Sequence, residues 1–151
     1  MIKIICVGKI KEKYLVSAID EYKKRLSKYA KLEIIEVKDY DLDNKDIILK
    51  KEAESIAKYL SDKDYIITLD IDGNMIDSIK LASKMDSICN YYSNTTFIIG
   101  GSYGLDRSIK DKSNYSLSFS KLTFPHQLFR VLLLEQIYRS FRINNNETYH
   151  K

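Results

Sequence analysis

Tryptophan is absent from this chain of 151 residues, proline occurs once, cysteine and histidine twice each, and glycine five times. So little proline and glycine excludes a collagen-like repeat and leaves no linker or low-complexity boundary. The chain is therefore read as one domain, residues 1–151. The two cysteines, Cys6 and Cys89, fit neither a disulfide framework nor a zinc-ligand spacing, and with only two histidines no metal site is expected. No apolar run approaches the roughly 20 residues of a membrane helix, so no membrane association is expected. The opening MIKIICVGKIKEKY has a short apolar run and a lysine cluster but no small-residue cleavage site. It does not read as a secretory signal, which implies a cytoplasmic protein with both cysteines reduced and buried.

Hydrophobic residues make up 44% and charged residues 30%, as in ordinary globular proteins, and the net charge is +4. Residues 1–50 carry 12 basic and 9 acidic side chains, and residues 51–100 carry 5 and 8. The last 31 residues carry 5 and 2, together with both histidines. This bias is too mild for a protein that grips nucleic acid by charge alone. A solvated mixed-charge surface explains it equally well, and an RNA partner would have to be held by shape or by a second subunit.

Short apolar runs alternate with helix-period segments. Residues 2–7, 32–37, 65–69, 95–99 and 115–119 read as strands. Between them, Leu15, Ala18, Ile19, Tyr22, Leu26 and Tyr29 form one helix face, and Leu49, Ala53, Ile56, Ala57 and Leu60 a second. Leu81, Ala82, Met85, Ile88, Cys89 and Tyr92 form a third, with Ser78 as its N-cap. Asp70–Gly73 reads as a turn closing the third strand, and a short helix is expected near 106–112. A long helix is expected from Pro125 to about Ile143. This alternation predicts an α/β sandwich with a mostly parallel sheet. The last helix has two apolar stripes, one of Leu128, Val131 and Leu132, the other of Phe129, Leu133, Ile137 and Phe141. A small sheet covers one stripe, so the other predicts a twofold dimer, unless a loop covers it.

Three glycines fall within Ile99-Gly100-Gly101-Ser102-Tyr103-Gly104-Leu105, directly after a strand, where open α/β sheets bind ligands. The spacing matches neither a dinucleotide fingerprint nor a P-loop, so a plain tight turn and a cofactor loop both fit. The turn after Leu69 and the segment Ser116–His126 could line the same crevice, with free N–H groups at the start of the last helix. The closing Tyr149-His150-Lys151 reads by itself as a solvated tail. Glu135 and Arg139 stand i,i+4 on the last helix and can pair.

The stretches IIGGSYG and SLSFSKLTFPHQLFRVLLLEQIYRSFRI, the closing YHK, the opening IKIICVGKIKEKY and the central TLDIDG together resemble the RlmH family. These are small SPOUT-superfamily methyltransferases of large-subunit ribosomal RNA, and the resemblance spans essentially the whole chain. It implies an α/β fold with a deep C-terminal trefoil knot, a homodimer, and S-adenosylmethionine as cofactor. The implied reaction is methylation of N3 of a pseudouridine in helix 69 of 23S rRNA on assembled ribosomes. By motif, Leu69, Gly100, Phe119, Ser120, Lys121, Leu122, Thr123 and Phe124 would contact the cofactor. Some relatives have Pro where Ser102 stands. His150 or Tyr149 is expected to handle the N3 proton and orient the base, with His126, Glu135 and Arg139 holding the RNA and the tail. A purely structural Glu135–Arg139 pair also fits, and the competing reading of the whole chain is a non-catalytic ribosome-associated RNA-binding protein.

Overall fold

The computed structural model describes residues 1–151. Five strands, β1 (Ile2–Val7), β2 (Leu32–Val37), β3 (Asp64–Met75), β4 (Asn94–Ile99) and β5 (Tyr115–Ser118), form one sheet in the order β2-β1-β4-β3-β5. Every pairing is parallel. Helices α1 (Lys13–Leu26), α2 (Lys45–Ala57), α3 (Ser78–Cys89), α4 (Arg107–Lys112) and α5 (His126–Asn144) connect and flank the strands.

A parallel sheet is covered on both faces, so its central strands must be apolar on both. Along β1 the side chains alternate: Ile2, Ile4 and Cys6 enter a large core with α1, α3 and α5, while Ile5 and Val7 enter a smaller one with α2 and α4. Phe97 and Ile99 of β4 face the large core and Ile98 the small one. In α5 the stripe through Leu133 and Ile137 is fully buried and Phe129 and Phe141 partly so. Val131 and Leu132 are only half-buried, and Leu128 is exposed.

Four local expectations need correcting. The cap of α3 is Asp77, whose carboxylate accepts from Lys80 N at 2.8 Å; Ser78 is already helical. Cys89, the last residue of α3, is exposed beside the buried stripe that ends at Ile88, whereas Cys6 is buried. Strand β3 does not stop at Leu69: Leu117 pairs with both Leu69 and Asn74, so residues 70–73 bulge out as a loop while pairing resumes to Met75. The buried face of α2 runs through Ile48 and Glu52 rather than Leu49. Glu52 is an acid among apolar neighbours; its Oε2 has no hydrogen-bond partner, and burial first, then the charge of Asp39, raise its pKa.

Candidate active site

The order β4-β3-β5 sets the C-terminal tips of three strands side by side, and the turns leaving them enclose a hollow of about 360 Å³. Leu69 and, from the bulge after it, Asp70 and Ile71 come from β3, residues 100–102, 104 and 105 follow β4, and Ser118 ends β5, with residues 119, 120 and 122–126 following it. Phe129 closes one wall, its ring tilted against Phe119 at 4.7 Å and 6.1 Å from Phe124. The turn after β4 folds onto itself: Gly104 N donates to Gly101 O at 3.1 Å, and Gly104 sits at φ +81°. A Cβ on Gly100 would fall on the Gly104 carbonyl, so only glycine fits. The turn after β5 is pinned by its own serines, Ser118 Oγ donating to Ser120 O at 3.1 Å and Leu122 N to Ser120 Oγ at 3.0 Å. The wall is mostly backbone and apolar side chain, with one ion pair, Asp70–Lys110 at 3.0 Å. Burial would raise the Asp70 pKa, but the Asp72 amide and the Lys110 ammonium outweigh it and hold the carboxyl low.

Seven of the eight expected cofactor residues line this hollow; Lys121 belongs to the same turn but is not in its wall. Asp70 and Ile71, from the turn after Leu69, and Leu105 of the glycine segment line it too, as expected of those segments, whereas Lys110 and Phe129 were not expected and nothing local signals them.

The residues expected to do chemistry fall into two places. His126, the first residue of α5, lies at the hollow between the strand tips. Arg139 follows 13 residues later, about 20 Å along the helix axis, so within one chain His126 does not join the others. Glu135, Arg139, Tyr149 and His150 do come together. Glu135 accepts from Tyr22 Oη at 3.0 Å, Tyr149 Oη at 2.8 Å and Arg139 Nε at 2.7 Å. Arg139 Nη1 meets His150 Nδ1 at 3.1 Å. The Tyr149 ring stands edge-on to Tyr138 at 5.1 Å. The tail therefore folds back rather than fraying. Asn146, at φ 55°, reverses the chain, and Glu147 is held by Arg142 Nη1 at 2.6 Å and Tyr29 Oη at 2.7 Å. Burial and the Glu135 carboxylate push Tyr22 up to about 12 and raise Tyr149, so both phenols stay protonated donors. His150 opens onto a second hollow, about 400 Å³, that shares Leu117, Ser118 and Phe119 with the first.

Arg130, which carried no expectation, is fully buried; it ties α5 to Glu36 of β2 at 2.7 Å and to Gly8 O at 3.1 Å. No group of three or more His, Cys, Asp or Glu side chains is placed to hold a metal ion, and no helix is long and apolar enough to cross a membrane.

The family described as Predicted SPOUT methyltransferase matches residues 1–150. Among similar curated proteins, the ribosomal RNA large subunit methyltransferase H of Clostridium botulinum (strain Alaska E43 / Type E3) is 57% identical, covering 99% of both chains. That of Finegoldia magna is 54% identical with the same coverage. The solved structure of a probable methylase family protein from Haemophilus influenzae Rd KW20 superposes with a TM-score of 0.60 at 17% identity. It covers 99% of this chain and 70% of that one, a likeness of fold.

Proposed function

Because the chain belongs to the SPOUT methyltransferase family, and within it to the ribosomal RNA large subunit methyltransferase H relatives, we propose that it methylates N3 of a pseudouridine in helix 69 of 23S rRNA. The reading takes S-adenosylmethionine as methyl donor, the assembled ribosome in the cytoplasm as substrate, and residues 1–151 as one domain. The observation that carries it is the cradle at the tips of β3, β4 and β5, where a Cβ on Gly100 would clash with backbone. A wall of backbone amides, carbonyls and phenylalanine rings suits a nucleoside bearing an amino acid better than a phosphate, because the wall has only one cation, Lys110, and it is already paired.

S-adenosylmethionine, when bound, supplies an electrophilic methyl group on a sulfonium. Leu69, Gly100 and the turn Phe119–Phe124 would hold it, with Lys121 contributing through its backbone. The chain's main task is then alignment of that methyl with N3. His150 and Tyr149 meet the base, Glu135 and Arg139 hold the tail, and His126 holds RNA at the mouth of the cofactor hollow. The 20 Å between the two ends of α5 supports a homodimer in which one copy's tail completes the other's cradle. The half-covered stripe of Leu128, Val131 and Leu132 supplies an apolar face for that pairing. The segment between β5 and α5 returns across the tips of β3 and β4, which supports the trefoil knot of this family.

Mass spectrometry of helix 69 from ribosomes incubated with the protein and labelled S-adenosylmethionine tests the reading; one added methyl on N3 is expected, and naked rRNA is expected to be a poorer substrate. Cofactor affinity by calorimetry separates it from the non-catalytic alternative: an RNA-binding protein of the same fold would release no heat with S-adenosylmethionine.

A further inference from the structure

We infer that His150 serves as a hydrogen-bond donor to the target base, and not as the acceptor of its proton, because Arg139 fixes its tautomer. The inference rests on the reading above only for the identity of the substrate. The tautomer itself follows from the contact between Arg139 Nη1 and His150 Nδ1 at 3.1 Å.

A guanidinium carries five N–H donors and no acceptor, and it stays charged. The ring nitrogen facing it must therefore offer a lone pair, so Nδ1 is unprotonated. A neutral imidazole carries one N–H, which places it on Nε2. Arg139 cannot rotate away at no cost, since its Nε donates to Glu135 at 2.7 Å, and Glu135 is fixed by Tyr22 and Tyr149. The charged and titratable groups around the imidazole are consistent with this. Arg139 and the chain from Tyr149 to Glu135 lie on one side, and Asp77 lines the same hollow as His150. Tyr149 donates its own hydroxyl hydrogen bond to Glu135 and keeps its proton, so it does not act as a base either.

The chemistry needs such a donor. The N3 proton first passes to a water molecule, and the negative charge left on N3 spreads onto the two flanking carbonyl oxygens, where an Nε2–H aimed at one of them stabilises it as an oxyanion donor does. The N3 lone pair then forms its bond to the methyl carbon as the carbon–sulfur bond breaks, the electrons of that bond remaining on sulfur and leaving a neutral thioether. His150 is then a catalytic residue, and Arg139 a positioning residue acting through it.

Long-range nitrogen–proton NMR of the imidazoles reads the tautomer without substrate or cofactor. The chain has two histidines, so a His126→Gln variant assigns the spectrum. The expected pattern at pH 8 is a protonated Nε2 and a bare Nδ1 on His150, changing to a tautomer mixture in Arg139→Gln. A protonated Nδ1 in the parent protein overturns the inference, whatever the enzyme methylates. Methyl transfer to ribosomes gives the second arm. Gln at this position keeps an N–H near Nε2 but cannot take a proton, whereas Glu can take one but cannot donate when ionised. His150→Gln is expected to lose about tenfold and His150→Glu at least a hundredfold. The opposite ranking assigns His150 as a base and sinks the proposal. If every variant and the parent are inactive while the NMR pattern holds, the substrate reading has failed and the tautomer has not.

Discussion

The cradle proposed for the cofactor and the tail corner lie on either side of Phe119, and they are built by opposite means. The cradle is shaped by backbone: three turns, a glycine with no room for a side chain, and a rim of phenylalanines. The tail corner is shaped by charged and aromatic side chains, with Glu135 alone receiving three donors. A backbone cradle is pre-formed with the sheet, whereas a corner held by side chains can be loosened one bond at a time. Binding and chemistry should therefore be separable by mutation.

The sharpest break of that contrast is removal of residues 149–151. Methyl transfer to ribosomes should vanish while calorimetry still finds cofactor affinity; wild-type turnover would refute the tail's role. Gly100→Ala attacks the other side. The new methyl meets the Gly104 carbonyl, so cofactor affinity should fall more than tenfold and stability by about 1–3 kcal/mol, read by calorimetry and thermal melting. Glu135→Gln sharpens the contrast from the tail side. It weakens three charge-assisted bonds, so a loss of about 1–2 kcal/mol and faster amide exchange over residues 146–150 are expected, with cofactor affinity unchanged.

Glu52, under the cradle, gives a pH-dependent test. Its folded pKa lies above the ordinary 4.5 that the unfolded chain keeps. Below that value both states are protonated and nothing is lost; as pH rises, the unfolded state ionises first and folding is penalised, up to the folded pKa. Glu52→Gln should therefore raise the melting temperature at pH 7.5 and leave it unchanged at pH 4. Arg107→Ala, on the exposed Arg107–Asp111 pair, sets the floor: a change below about 0.5 kcal/mol is expected by denaturant melting.

What could be read from the sequence follows the same division. β1 and β2 match their expected limits: β1 is buried along its whole length, and β2, although an edge strand carrying Glu33 and Glu36, is set off by its β-branched Ile34, Ile35 and Val37. The Glu135–Arg139 bond was legible because its partners are four residues apart. The bonds Tyr22–Glu135 and Tyr29–Glu147 were not, since each joins residues more than a hundred positions apart in the chain. The pairing of Leu117 with two separated residues of β3 is a tertiary event, so the bulge at 70–73 looked like an ordinary turn. Glu52 was missed because helix periodicity counts apolar residues and passes over an acid facing inward. The Gly100 loop left a tight turn and a cofactor loop equally open; the neighbouring tips that make it one wall of a hollow come from strand order, which no local pattern encodes.

The two thiols differ in a way that is useful at the bench. Burial pushes Cys6 up to about 12 and hides it in the core, while Cys89 stands open at the far end of the helix whose first turn lines the tail hollow. A maleimide dye added to the unmodified protein should thus attach at a single place, giving a ready-made fluorescent sensor for tail docking and subunit pairing without engineering a cysteine.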